Sequence, residues 1–218
     1  MIWLLVLLIV VVVALSAYVI YSAFNIRSTL FINAVCTSPS GSPLLTFDDG
    51  PDPVNTPRLL SVLRSHNHKA IFFLIGEKVD KYPEVVRQIV AEGHQVGNHT
   101  YSHQPMANFL GASHLLLEIR RCDDAIFLAC GVRPTLFRPP LGISTHYMRS
   151  VLRHTGHRVI GWSVRSLDTL QERHRRTPQQ VLSRVVCRLR KDSIVLLHDR
   201  LSGVDTLADQ ILQKCKEL

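Results

Sequence analysis

From residue 42 onward the chain alternates between short apolar runs and longer segments of helical period, and this alternation constrains the fold more than any other feature. The runs are "PLLTF" (43–47), "KAIFFLI" (69–75), "TLFR" (135–138), "RVIGWSV" (158–164) and "SIVLLH" (193–198), with a weaker one at "HQVGN" (94–98). Between them, Thr56-Pro57, Tyr82-Pro83 and Thr177-Pro178 put proline where a helix would begin, and both threonines are able to cap. Gly93 and Gly156 stand where helices would stop. Val85, Val86, Ile89 and Val90 fall on one helical face and read as a core stripe. Strands that alternate with helices imply a parallel sheet, doubly wound or closed as a barrel. No Gly-x-Gly-x-x-Gly follows the first strand, so a dinucleotide fold has no support.

Residues 1–24 carry no charged side chain. About 20 apolar residues suffice for a helix to cross a hydrocarbon core of about 30 Å, so this stretch is expected to be a transmembrane anchor. A cleaved signal peptide is the competing reading. It lacks a basic start, and the apolar stretch continues past the candidate cleavage site at Ala14-Leu15-Ser16. Residues 25–41, ending in "TSPSGSP", are expected to be a linker, and 42–218 one domain. Arg27, the only charge near the flank, leans towards a cytoplasmic C-terminal side. The formal net charge of +8 favours polyanions, but no aromatic-interleaved basic motif or zinc-finger spacing supports nucleic acid as a partner. Five scattered cysteines without a Cys-x-x-Cys pair argue against a disulfide framework or a thiolate metal site.

The polar residues that carry chemistry stand where the apolar runs end. Asp48 and Asp49 close the first run, His99 and His103 follow the third, Arg138 ends "TLFR", Asp168 lies past "RVIGWSV", and His198 and Asp199 end the last. In parallel α/β folds the site is built from loops at the carboxyl ends of the strands. Asp-Asp-Gly by itself is an ordinary turn signal, and two histidines four apart are common on surfaces and in cores. In a helical turn, however, His99 and His103 would share a face, and Asp49 would complete an open two-histidine, one-carboxylate metal site.

In order, "TFDDGPD", "HTYSH", "RPPLG", "WSVRSLDT" and "LLHD" resemble the five motifs of the NodB-like polysaccharide deacetylases, and "KAIFFLIG" and "EGHQVGNHTYSH" match as well. The resemblance runs from about Leu44 to Asp199. It implies a distorted (β/α) barrel with fewer than eight strands and metal-dependent removal of acetyl groups from sugars. Carried onto this chain, it implies that Asp49, His99 and His103 hold one divalent cation, with zinc the first expectation and cobalt, nickel or iron compatible with the same ligands. Asp48 is implied as general base, with Arg138 holding it. A backbone N–H in the Pro140-Leu141 loop would steady the oxyanion, and His198, kept protonated by Asp168, would protonate the departing amine.

Leu141 stands where the family often has an aromatic, Thr169 where it often has tryptophan, and Arg165 where it is often acidic. These departures leave the choice of polysaccharide open. The expected protein is a single-pass membrane-anchored deacetylase of peptidoglycan or a chitin-like envelope glycan, with an extracytoplasmic catalytic domain. An O-acetyl esterase and a non-catalytic glycan-binding envelope protein are the alternatives. His66, His68, His114, His154, His157 and His174 are expected to be ordinary surface or core histidines, and His146 to sit at a helix start. Asp199 is expected to cap the following turn, and "QERHRRT" (171–177) to be a solvated loop.

Overall fold

The computed structural model describes residues 1–104, 107–171 and 176–218. In chain order its elements are α1 (Ile2–Phe24), β1 (Ala34–Val35), β2 (Leu44–Gly50), α2 (Asn55–Ser65), β3 (Ile71–Leu74), α3 (Gly76–Lys81), α4 (Pro83–Ala91) and β4 (Gln95–Asn98). There follow α5 (Ala112–Cys130), β5 (Leu136–Phe137), α6 (Met148–Thr155), β6 (Arg158–Ile160), β7 (Val164–Arg165), α7 (Pro178–Val186), β8 (Ile194–His198) and α8 (Val204–Cys215). The strands form one parallel sheet in the order β1-β6-β5-β4-β3-β2-β8-β7.

The run "RVIGWSV", expected as one strand, is broken into β6 and β7, and the break shows how the sheet curls. β6 and β7 lie six strand positions apart, which in a flat sheet would be about 29 Å. From Ile160 to Val164 the chain can reach only about 15 Å. The sheet therefore curls until its edges nearly meet. The seam is sealed by Gly161 N–H donating to Val35 O (2.8 Å), Ser163 N–H donating to Ile194 O (3.0 Å) and a bridge between Thr37 and Ser193. This is the expected distorted barrel, but among the described residues the sheet counts eight strands where fewer than eight were expected, because the two-residue strands β1 and β7 extend its edges.

Ile71, Phe73, Leu136, Ile160 and Ile194 fill the barrel interior. A larger core, including Leu45, Phe47, Phe72, Val86, Ile126 and Ile211, packs the outer face of the sheet against the helices. Along β3 the two sets alternate, with Phe72 outside and Phe73 inside, as the strand period of two requires. Gly97 is needed at one close approach: a Cβ there would lie 2.6 Å from the Phe73 ring.

Residues 25–41, expected as a connector, are built into the fold. Ile26 and Ile32 are buried with Phe137, Met148 and Val159, β1 pairs with β6, and the Arg149 guanidinium donates to the carbonyls of Thr29, Leu30 and Phe31. Helix α1 has 23 residues, carries no charged side chain and is exposed along its hydrophobic span, so it is long and apolar enough to cross a membrane. Its last turn touches the domain, where Ser144 N–H donates to Ala23 O at 2.9 Å.

Thr177 caps α7 in a complete capping box with Gln180. Thr56 does not cap. It lies inside α2, where its hydroxyl donates to Asp199 Oδ2 at 2.6 Å, while Asp52 Oδ1 accepts from the N–H groups of Val54 and Asn55. The five cysteines are free thiols.

Candidate active site

Adjacent residues on a regular strand point to opposite faces, so Asp48 and Asp49 can face one pocket only if the strand is distorted. It is: the β2–β3 register shifts between Asp48 and Gly50, and Asp49 takes a left-handed φ of 69°. Gly50 is obligatory beside it, because a Cβ there would fall 2.2 Å from the Asp199 carboxylate. The strand thus delivers two neighbouring carboxylates into the barrel mouth.

His99 follows β4 directly, and its Nδ1 lies 2.7 Å from Arg138 O. A carbonyl only accepts, so Nδ1 carries the proton and Nε2 is left as a free ligand atom. That Nε2 lies 3.6 Å from Asp49 Oδ1 and 3.8 Å from Asp48 Oδ2, and His103 Nε2 lies 3.3 Å from Asp49 Oδ1. The expected helical turn is absent. Left-handed residues at Thr100 (φ 67°) and His103 (φ 49°) fold a loop that brings the rings to a centroid distance of 4.8 Å. Ligand atoms of Asp49, His99 and His103 all lie within 4.8 Å of one another.

The donor set fits a divalent cation. Burial and the neighbouring His99 push His103 down to about 4, so its imidazole is neutral and able to ligate. Burial opposes ionisation of Asp49, but the neighbouring His99, ahead of the His198 cation, holds its carboxyl well below the usual carboxylate range.

Arg138 is fully buried and makes four hydrogen bonds. It donates to Asp48 Oδ1 (2.7 Å), Thr46 Oγ1 (2.8 Å), Ile160 O (2.9 Å) and Gly161 O (2.7 Å), with Phe73 packed on its face. It binds one oxygen of Asp48 and leaves Oδ2 towards the histidines. Across the pocket, Asp168 Oδ1 lies 2.8 Å from His198 Nδ1, and its Oδ2 accepts the His198 backbone N–H at 2.8 Å. Burial would lower the His198 pKa, but the charge and hydrogen bond of Asp168, with Asp48 and Asp49 behind, raise it to about 9. Asp48, Asp49, His99, His103 and His198 line a cavity of about 490 Å³, together with Leu141, Gly142, Trp162, Arg165, Thr169 and Arg200, with Arg138 and Asp168 buried behind them. Leu141 stands on the rim with a left-handed φ of 59°. Pro140 is buried behind it, its carbonyl accepting from Asn108 Nδ2 at 3.0 Å.

Several supporting residues carry no sequence signal. Glu118, buried on α5, accepts from Tyr101 N, Ser102 N and Ser102 Oγ and so fastens the histidine loop. Lys78 Nζ donates to Asp49 O at 2.6 Å, and Arg200 Nε donates to Asp49 Oδ2 at 3.0 Å. Among the described residues Asp199 neither joins the ligand cluster nor caps the next turn. Its carboxylate is spent on Thr56, joining β8 to α2, and burial raises its pKa to about 7. His66, His154 and His157 pair with Asp209, Arg120 and Asp123 away from the cavity. His68 and His114 also stand outside it, as does His146, which packs on Tyr147 just before α6. His174 and residues 172–175 of the arginine-rich run lie outside the described residues.

Residues 37–160 match the family model described as polysaccharide deacetylase. Among similar proteins is the peptidoglycan-N-acetylmuramic acid deacetylase PdaC of Bacillus subtilis, 35% identical over 78% of this chain and 35% of that one. In sequence, then, the chain spans about a third of PdaC. The solved PdaC structure superposes with a TM-score of 0.72 at 33% identity, covering 81% of this chain and 83% of that one. A peptidoglycan-N-acetylglucosamine deacetylase of Bacillus cereus is 36% identical over 71% of each chain. A CE4 family pseudoenzyme from Bacillus anthracis superposes with a TM-score of 0.76 at 26% identity, over 84% of this chain and 64% of that one. With the matched model spanning more than half of its length, the chain belongs to the polysaccharide deacetylase family.

Proposed function

We propose that this protein is a membrane-anchored, metal-dependent hydrolase that removes N-acetyl groups from an amino-sugar polymer of the cell envelope. The fold cannot carry this reading, because the Bacillus anthracis neighbour shares it as a pseudoenzyme. The observation that carries it is the convergence of Asp49, His99 and His103 beside an Asp48 held by Arg138, facing a His198 held by Asp168.

A divalent cation on Asp49, His99 and His103, with zinc the first candidate, would supply an acidified water and an electrophile for the acetyl carbonyl. The protein's own groups do the rest. Asp48 Oδ2 accepts the proton of the attacking water, and Arg138 holds that carboxylate in place through its other oxygen. The backbone N–H of Leu141 on the rim is suited to the developing oxyanion, where losing one such donor typically costs about 3–4 kcal/mol. His198 has committed Nδ1 to Asp168, so its proton for the departing amine sits on Nε2. An amide nitrogen leaves poorly without that proton.

Helix α1 would extend about 35 Å, enough to cross a bilayer. Trp3 near one end and Tyr18 and Tyr21 near the other stand where interfacial aromatics belong. An envelope glycan as substrate puts the catalytic domain on the extracytoplasmic side. The test is acetate release from N-acetylglucosamine oligomers and from peptidoglycan, with chelated and metal-restored protein run in parallel. Acetate from either, lost on chelation and regained with metal, is the expected result. No acetate from either with metal present would reject the reading.

A further inference from the structure

The walls of the cavity hold more positive charge than the proposed chemistry uses. Val164 of β7 packs into the outer core, so strand alternation turns Arg165 the other way, into the barrel mouth, where it lines the cavity with His198 and Asp48. Its guanidinium lies 5.9 Å from the centroid of Trp162. The carboxylates in and behind the cavity wall are already committed: Asp48 to Arg138, Asp49 to Arg200 and the histidines, and the buried Asp168 to His198.

Arg165 also begins a series. Its carbonyl accepts Arg184 Nε at 2.9 Å, and the Arg184 carbonyl accepts Arg188 Nη1 at 3.2 Å. Arg176, Arg184 and Arg188 line a neighbouring surface cavity of about 430 Å³ with Gln179 and Ser183. After burial, the charges of Arg188 and Arg176, with Arg165 further down, lower the pKa of Arg184, which is the mark of like charges crowded together. Among the described residues no carboxylate pairs with any of these four arginines. A neutral acetylated sugar offers hydroxyls but nothing to match a row of guanidinium groups, whose planar forks suit carboxylate or phosphate.

We propose that Arg165, Arg184, Arg188 and Arg176 form a track leading out of the active-site cavity that binds the anionic substituents, carboxylate or phosphate, of an acidic glycan strand. The inference rests on the reading of the cavity as a glycan site. A glycan fits better than a lipid headgroup because Arg165 shares its cavity with the groups proposed to act on the acetamide.

Binding, not turnover, tests it. The full chain in nanodiscs of zwitterionic lipid is titrated with two labelled oligomers, an N-acetylglucosamine–N-acetylmuramic acid tetramer with free lactyl carboxylates and the same tetramer with those carboxylates amidated. Wild type is expected to bind the acidic form at least tenfold tighter, with the advantage falling as salt rises from 50 to 300 mM. Arg165→Ala, and separately Arg184→Gln with Arg188→Gln, are expected to remove most of that advantage while circular dichroism stays unchanged. Equal affinity for the two oligomers, or a preference that survives both variants, would overturn the inference. So would an arginine effect that appears only in nanodiscs of anionic lipid, which assigns the track to headgroups. A binding preference without acetate release from any oligomer would reject the deacetylase reading and leave the track supported.

Discussion

Asp48 and Arg138 form a buried pair whose two jobs, the catalytic one proposed above and the structural one, separate on mutation. Asp48→Asn keeps an oxygen for Arg138 Nη1 but no base. Acetate release should fall by about 10²–10⁴-fold with the melting temperature nearly unchanged. Asp48→Ala strands a fully buried guanidinium and should also destabilise the fold by about 3–5 kcal/mol, read by denaturant titration. At His198 the sign of the pH dependence follows from Asp168. The pKa is raised to about 9, so the donor proton is present through neutrality and activity falls as pH rises through that value. Asp168→Asn removes the charge that raises it and leaves the burial that lowers it. The alkaline limb of kcat/KM should therefore move to lower pH. The residues proposed to bear the chemistry were legible because catalysis needs ionisable groups, and these stood out where apolar runs ended. Glu118, Lys78 and Arg200 were not legible, since each acts through the backbone or carboxylate of a residue remote in sequence and sits in no motif.

The strands and helices follow from local signals wherever the signal is itself local. The capping box at Thr177 was readable because cap, proline and Gln180 lie within four residues. Thr177→Ala should cost about 1 kcal/mol in thermal unfolding and leave kcat on a neutral N-acetylglucosamine oligomer unchanged, since α7 contributes no atom to the groups proposed to act on the acetamide. Thr56 carried the same Thr-Pro signal and fails as a cap, because its hydroxyl is claimed by Asp199, which lies far along the chain. The split of "RVIGWSV" into β6 and β7 was equally out of reach. Its apolar run is continuous, and only closure of the sheet, a property of all eight strands, decides that the two ends of the run pair with different neighbours. The histidine loop makes the same point on a smaller scale: a spacing of four suggested a helix, whereas two left-handed residues did the work.

For the whole molecule, the boundary at residue 42 drawn from composition differs from the one drawn by packing. A chain starting at residue 25 keeps Ile26, Ile32 and strand β1, while one starting at 42 loses them. Burying a large aliphatic side chain stabilises by about 1.5–3 kcal/mol, so the shorter form should be weaker by roughly 3–6 kcal/mol, measurable by urea unfolding of the two truncations. "TSPSGSP" looked like a tether because its residues suit loops, yet Ser38 N–H donates to Asp192 O and the segment seals the barrel. The hydrogen bond from Ser144 to the end of α1 then acquires a meaning for reach. With α1 lodged in a bilayer, as proposed, the loop carrying Leu141 stands three residues from an anchorage that has no slack. Such an enzyme works like a fixed stylus. It cannot roam through a thick wall, and marks only the glycan that passes close above the lipid.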